Sequence, residues 1–267
     1  MDWSLTLSGF IVGCLVGMTG VGGGSLMTPI LIFVFHIPSA VAVGTDLLFA
    51  SITKTGGIWA HARQKTVHWR IVILMLCGSV PTALLTVLLL SHIQIHEPFM
   101  ETLISAGLSI ALVLTAVALL LRQKMHDFGL WVIKTLPHWR RLRDPITIVC
   151  GALLGVLVPI TSIGAGALGA AMLMALYPNL PAKKVVGTDL AHAVPLTAIA
   201  GLGHMQLGSV DFTLLAALLL GSFPGIYLGS RLSNSIPDSV LRPVLALILL
   251  TVGVMFGASA LSSLLSS

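Results

Sequence analysis

Six stretches of about twenty apolar residues, near 41–60, 70–90, 99–121, 184–203, 212–230 and 240–261, decide the solvent in which this 267-residue chain can fold. A helix crosses the ~30 Å hydrocarbon core of a bilayer in about 20 residues, and without water there every backbone group must be paired inside the helix. Composition agrees, since 9% of the residues are charged and 56% are hydrophobic, against about 25% charged in soluble domains. So few charges cannot cover a water-facing surface, which excludes a soluble enzyme, a nucleic-acid binder and a disordered scaffold. The fold class expected is an all-α polytopic membrane protein. In such a chain the net charge of +5 reports which loops face the cytoplasm rather than an affinity for nucleic acid. Cys14, Cys77 and Cys150 are too few and too scattered for a disulfide framework, and read as packing residues. Met1-Asp2-Trp3 lacks the basic start of a cleavable signal, so the first apolar run is expected to stay in the protein.

The chain repeats itself. Val43-Gly44-Thr45-Asp46-Leu47 recurs as Val186-Gly187-Thr188-Asp189-Leu190, an offset of 143. At the same offset Pro38 aligns with Pro181, His61 with His204, and Gly78-Ser79-x-Pro81 with Gly221-Ser222-x-Pro224. Upstream, at offset 142, Gly9 and Gly13 align with Gly151 and Gly155, and Thr19-x2-Gly22-x-Gly24-x-Leu26 with Thr161-x2-Gly164-x-Gly166-x-Leu168. The chain is therefore read as a tandem duplication: repeat 1 over 1–121, a basic cytoplasmic linker over 122–145, and repeat 2 over 146–267.

Two further apolar segments, 4–35 and 146–177, are too long for one crossing; a straight helix of 32 residues would extend ~48 Å. Each is interrupted at its centre, by Thr19-Gly20-Val21-Gly22-Gly23-Gly24 and by Thr161-Ser162-Ile163-Gly164-Ala165-Gly166, and glycine at that density breaks a helix. Setting Lys54 aside, thirteen of the 14 basic residues lie in loops. If each broken segment were a single crossing, nine of these would fall on one side and four on the other. If each is a hairpin, re-entrant or made of two short crossings, all thirteen share one side, as cytoplasmic loops do. The expectation is two inverted-topology repeats, each a broken-helix hairpin plus three transmembrane helices, an arrangement typical of secondary transporters.

The run Gly13-x3-Gly17-x2-Gly20-Val21-Gly22-Gly23-Gly24-x4-Pro29, then Pro38-x5-Gly44-Thr45, the second copy of the pattern, and the basic loop ending Val67-His68-Trp69-Arg70 resemble the TauE/SafE family of sulfite and organosulfonate exporters over nearly the whole chain. That resemblance implies export of small sulfur-containing anions in a multi-pass bacterial cytoplasmic membrane protein. Many members of the family read Gly-Thr-Ser where this chain has Asp46 and Asp189, a departure that raises proton coupling. The alternative readings are an anion channel or an exporter of another small organic anion.

The glycine-rich breaks carry the expected chemistry. Unpaired N–H groups at the start of a half-helix present partial positive charge to an anion, and glycine removes the side chains that would keep a ligand away. Gly22, Gly23, Gly24, Gly164 and Gly166 are therefore candidate substrate-binding positions, with hydroxyls from Thr19, Ser25, Thr161 and Ser162 beside them and Thr45 and Thr188 nearby. The flanking Gly9-x3-Gly13-x3-Gly17 and Gly151-x3-Gly155 fit close helix packing instead. Asp46, Asp189 and Lys54 are the ionisable residues placed inside spans, where a charge costs at least ~2.5–3.5 kcal/mol and usually marks a pathway or a pair. Lys54 is a substrate candidate that reaches Asp189 across the repeat interface or else snorkels to the headgroups. Asp46, Asp189 and His192 are the candidate proton carriers.

Elsewhere the signals are bland. His92, His96 and Glu97 read as a solvated loop rather than a metal site, and no cofactor is expected. The linker, with Trp131, Trp139 and six basic residues, reads as an interfacial helix on anionic lipid. No Gly-x4-Gly-Lys-[Ser/Thr], Gly-x-Ser-x-Gly or His-Glu-x2-His pattern occurs, so neither ATP hydrolysis nor enzymatic hydrolysis is indicated. The expected partners are a small anionic substrate and membrane lipids, with a homo-oligomer left open.

Overall fold

The computed structural model describes residues 3–19, 24–93, 97–136, 138–232 and 238–266. Eleven helices follow in order among them: α1 (Trp3–Thr19), α2 (Gly24–Phe33), α3 (Ser39–Arg63), α4 (Trp69–Ile93), α5 (Glu97–Leu120), α6 (Arg122–Thr135), α7 (Trp139–Thr161), α8 (Ala167–Leu176), α9 (Ala182–Gln206), α10 (Phe212–Leu232) and α11 (Asp238–Ser266). The protein is an all-helical, multi-pass cell membrane protein. Six helices, α4, α5, α7, α9, α10 and α11, contain stretches long and apolar enough to cross a membrane. Large apolar side chains such as Leu84, Leu88, Leu220, Phe223, Leu247 and Val254 are exposed on their outer faces, the surface that lipid covers.

The interruption of the second long apolar segment is present at residues 162–166, while residues 20–23 of the first lie outside the described residues; the helices on either side differ in length between the two segments. The first gives a 17-residue and a 10-residue helix, α1 and α2. The second gives α7, whose 23 residues include a polar first turn drawn from the linker, and the 10-residue α8. α7 is thus long enough to span alone, and the second break follows a full-length helix rather than a half-length one. α3 has the length of a spanning helix but is less apolar than the six, because Asp46, Lys54 and a Gly-Gly pair lie within it.

Helices of one half pack mainly on helices of the other, and the pairings are reciprocal. α1 packs on α10 and its sequence equivalent α7 on α4, while α3 packs on its own equivalent α9 and α5 on α11. Gly9 and Gly13 of α1 press on the backbone of Leu218 and Ser222 in α10, and the equivalent Gly151 and Gly155 of α7 press on Met75 and Ser79 in α4. Residue numbers rise together across both seams, so these pairs are parallel. Between α3 and α9 they run in opposite senses: Leu48 meets Gly201, Gly57 meets Leu190, and Ser51 Oγ donates to the carbonyl of Val194, its own equivalent, at 3.5 Å. α3 and α9 are therefore antiparallel about a point near Ser51 and Val194.

Matching turns follow α3 and α9. Lys65 and Gly208, 143 residues apart, both take positive φ, at 55° and 71°. In each turn the next amide closes back onto the helix, Thr66 N to His61 O at 3.1 Å and Ser209 N to His204 O at 3.0 Å. Each turn then receives the start of the other half's central helix. Thr188 Oγ1 accepts the amide of His68 at 3.0 Å, and Thr45 Oγ1 accepts the equivalent amide of Asp211 at 3.1 Å. Gly44 and Gly187 lack a Cβ where one would strike Ser209 and Thr66 respectively, which explains Gly-Thr at both places.

Candidate functional site

α7 ends at Thr161, whose hydroxyl donates to Leu157 O and accepts the amide of Ile163 at 3.1 Å. Ser162 turns into the left-handed region at φ 58°, and Gly164 and Gly166 follow at φ 116° and 152°. Glycine populates such angles without a steric penalty, whereas a side chain there is strained. All residues from Thr161 to Gly166 are buried. The chain re-enters helix with Gly169 N bonded to Gly164 O and Ala170 N to Gly166 O. Among the described residues no hydrogen bond takes up the amides of Gly164, Ala165, Gly166, Ala167 and Leu168. These are the donors that an interrupted membrane helix leaves without intrahelical partners.

The central helices bring their ionisable groups to this break. Lys54 is 6% exposed, and its Nζ donates to the carbonyl of Ala165 at 2.6 Å. Lys54 therefore does not snorkel: it points into the protein and caps the break. Both Asp46 and Asp189 are electrostatic neighbours of Lys54, yet neither carboxylate comes within 4 Å of the ammonium. The contact with Asp189 expected across the repeat interface is thus through space, without a direct ion pair. Asp46 Oδ2 accepts the Thr28 hydroxyl of α2 at 2.5 Å. Ser162 is a further neighbour of that carboxylate, although its hydroxyl makes no hydrogen bond of ordinary geometry. Asp189 faces α8, where a Cβ on Gly169 would collide with Asp189 Oδ1. His192, one turn further along α9, is fully buried and shares a 2.9 Å hydrogen bond with Ser79 of α4.

Among the described residues, four of the seven buried side-chain atoms without a hydrogen-bond partner fall in this one region: Asp46 Oδ1, Asp189 Oδ1, His192 Nδ1 and Ser162 Oγ. Each such atom costs ~1–3 kcal/mol, and native proteins leave few without a reason. Their concentration at a helix break beside a buried lysine is what distinguishes this region from ordinary packing.

The structure brings together Lys54, Asp46, Asp189, His192, Ser162, Gly164 and Gly166, with Thr161 shaping the turn. Thr45 and Thr188 are fully buried at the two ends of the central pair, bonded to the opposite half's turns. Ser25 is buried on α2, next to the end of the first break, and Gly24 opens that helix. Gly22 and Gly23 lie outside the described residues, as does the side chain of Thr19. His96 and the side chain of Glu97 also lie outside them. Three participants carried no mark of their own in the sequence analysis: Thr28, Gly169 and the Ala165 carbonyl. Thr28 escaped because its repeat equivalent is Ala170, so no repetition flagged it. Ser79 stood in an aligned motif, and its bond to His192 emerges only when α4 packs on α9.

The description Sulfite exporter TauE/SafE matches residues 5–256. The chain is similar to the Bacillus subtilis probable membrane transporter protein YjnA, at 40% identity over 95% of this chain and 98% of that protein. It is also similar to the B. subtilis probable membrane transporter protein YdhB, at 28% identity over 89% and 93%, and to the probable membrane transporter protein MJ0441 of Methanocaldococcus jannaschii, at 30% identity over 93% and 92%. No solved structure matches the chain significantly. A helical membrane fold with an interrupted helix beside buried charge, and a family match that spans both halves, lead to one conclusion: the chain belongs to the TauE/SafE family and is a membrane transporter, not an enzyme.

Proposed function

We propose that the protein is a secondary transporter that carries small sulfur-containing anions, sulfite or a sulfonate, through the region bounded by the second break, Lys54, Asp46 and Asp189. The observation that carries this reading is the cluster of unpartnered buried polar atoms around a break whose amides are also untaken. Lys54 offers a positive charge, and the first amides of α8 point the positive end of a helix at the same place. Asp46 and Asp189 would repel an anion while ionised, so one of them takes a proton as the anion binds and charge is compensated in transit. His192, hydrogen-bonded to Ser79, is the further candidate for the proton's route.

In this reading repeats 1–121 and 146–267 are inverted about an axis in the membrane plane. The antiparallel α3 and α9 and the reciprocal contacts of α1–α10 and α7–α4 support that relation. Laid in a bilayer this way, all thirteen loop basic residues fall on the cytoplasmic side and both termini outside. The first break, with Gly22, Gly23, Thr19 and Ser25, is the counterpart surface on the same path.

The test is flux into proteoliposomes across a panel of sulfite, thiosulfate, sulfonates and carboxylates, with and without a pH gradient. Sulfur anions should move selectively. If one proton accompanies the anion, apparent affinity should rise as pH falls, by up to about tenfold per pH unit. Flux that ignores the pH gradient in the wild type would remove the proton step and favour a channel. Flux of carboxylates alone would remove the sulfur-anion assignment.

A further inference from the structure

A cavity of about 220 Å³ opens where α4 begins, lined by His68, Arg70, Arg143, Asp144, Tyr177 and Asn179 among others. It lies away from the break, at the end of the protein that carries the basic loops. Two arginines reach it, and their circumstances differ. Arg70 is committed to Asp144, at 2.6 Å. Arg143 is half-buried, lies over the Tyr177 ring at 4.5 Å, and has its Nε buried without a hydrogen-bond partner. Among the described residues no carboxylate pairs with it. Tyr177 is itself held in place, its hydroxyl 2.9 Å from that of Thr147.

A guanidinium held over an aromatic ring presents a planar fork of donors at little further entropic cost, and that fork matches two oxygens of an oxyanion. Arg70 and Asp144 cancel each other's charge, so Arg143 leaves the cavity with a net positive charge. The cavity also adjoins the transport path. His68, in its wall, donates its amide to Thr188, and Thr188 precedes Asp189. The duplication does not reproduce these side chains: the positions equivalent to His68 and Arg70 are Asp211 and Thr213. The second repeat's turn therefore lacks this pair.

We propose that this cavity is an oxyanion-docking site, in which Arg143, held on Tyr177, binds a sulfite, sulfonate or phosphate group at the mouth of the path. Its service to transport rests on the function proposed above; its binding chemistry does not. The oxyanion comes either from free substrate or from a lipid headgroup, and the two sources are separable by experiment.

Binding of radiolabelled sulfite would be measured on the full chain in delipidated detergent solution. Retained phospholipid would be counted by native mass spectrometry. Lys54→Met serves as the background, so that the central site does not contribute. In that background Arg143→Gln should weaken sulfite binding about tenfold or more, the loss expected for a charge-assisted hydrogen bond. Tyr177→Leu keeps the charge but removes the platform, and should weaken it several-fold; this second variant serves if Arg143→Gln changes the size-exclusion profile. Loss of one retained phospholipid in Arg143→Gln, with sulfite binding unchanged, upholds the oxyanion site and assigns its source to lipid. Unchanged sulfite binding together with unchanged lipid retention in both variants overturns the proposal. If the wild type binds sulfite through Arg143 yet moves no sulfur anion, the sulfur-anion reading of transport fails and the docking site stands.

Discussion

The two halves are alike where they hold each other and unlike where they meet the ionisable groups. Thr45 and Thr188 clamp equivalent amides, Gly44 and Gly187 make room for equivalent turns, and Gly9 and Gly151 press on equivalent carbonyls. At the centre that equivalence ends. Lys54 corresponds to Thr197, which spends its hydroxyl on Ala193 O at 2.9 Å. His192 corresponds to Phe49, a fully buried core residue. Asp46 is held by Thr28, whereas Asp189 faces Gly169 and has no hydroxyl from α8. Duplication supplies a scaffold in which each half props the other. The single lysine on one side, facing the two aspartates that the repeats share, makes this region unequal in a way that two matching copies would not.

The sharpest break of that comparison is at Lys54. Lys54→Met should lower anion flux by a hundredfold or more, since the one buried cation among the described residues and the cap on Ala165 O are lost together. Adding Thr197→Lys to Lys54→Thr moves the lysine to the mirrored position. If the halves are interchangeable at the site, this pair recovers part of the flux; no recovery, in a protein that still folds, would show that the second break alone binds the anion.

A smaller effect is expected where the two parallel seams differ. Gly225 of α10 corresponds to Thr82 of α4. Gly225 lies so close to α1 that an added Cβ would meet the Phe10 carbonyl and come 3.0 Å from Cys14 N, whereas Thr82 donates to Ala152 O at 3.0 Å. Gly225→Thr should therefore cost ~1–3 kcal/mol or more through overpacking of backbone on backbone. Thr82→Gly removes one interhelical hydrogen bond and should cost only about 1 kcal/mol. Unfolding in a graded denaturant separates the two. Equal costs would mean that the seams carry the same packing despite their different residues.

The smallest effect distinguishes the two aspartates. Thr28→Val removes the hydroxyl bond to Asp46, which stabilises a carboxylate by ~1.5–3 kcal/mol at most, and so makes the ionised form of Asp46 costlier. If Asp46 is the proton carrier, the pH at which flux is half-maximal should move upward in Thr28→Val. If Asp189 carries the proton, the profile should stay where it is. The pH dependence of initial rates decides between them.

The membrane-spanning helices, the repeated motifs and the interruption at residues 162–166 are legible in the residues, because their causes are local and repetitive. An apolar run near twenty residues has one solvent available to it, a glycine-rich run cannot continue a helix, and a repeated Gly-Thr-Asp needs no partner to be noticed. The lengths of the pieces are less legible. α7 reaches full spanning length because a polar turn of the linker joins it, and hydropathy alone does not report that extension.

Contacts between residues on different helices were decided by tertiary structure. Lys54 could have snorkelled or paired with Asp189 on sequence grounds; the packing of α3 against the second break sends it to the carbonyl of Ala165 instead, 111 residues away. Thr28 on Asp46, Gly169 against Asp189 and Ser79 on His192 likewise depend on which helix faces which, and repetition hides them because one partner of each pair has a different residue as its equivalent: Ala170 for Thr28, Met27 for Gly169 and Phe49 for His192. The sequence by itself determined that this chain lives in a membrane as two copies of one design with charge inside. Only the folded arrangement decided which charges share a site, since the approach of two helices is set by the side chains of both and neither segment encodes it alone.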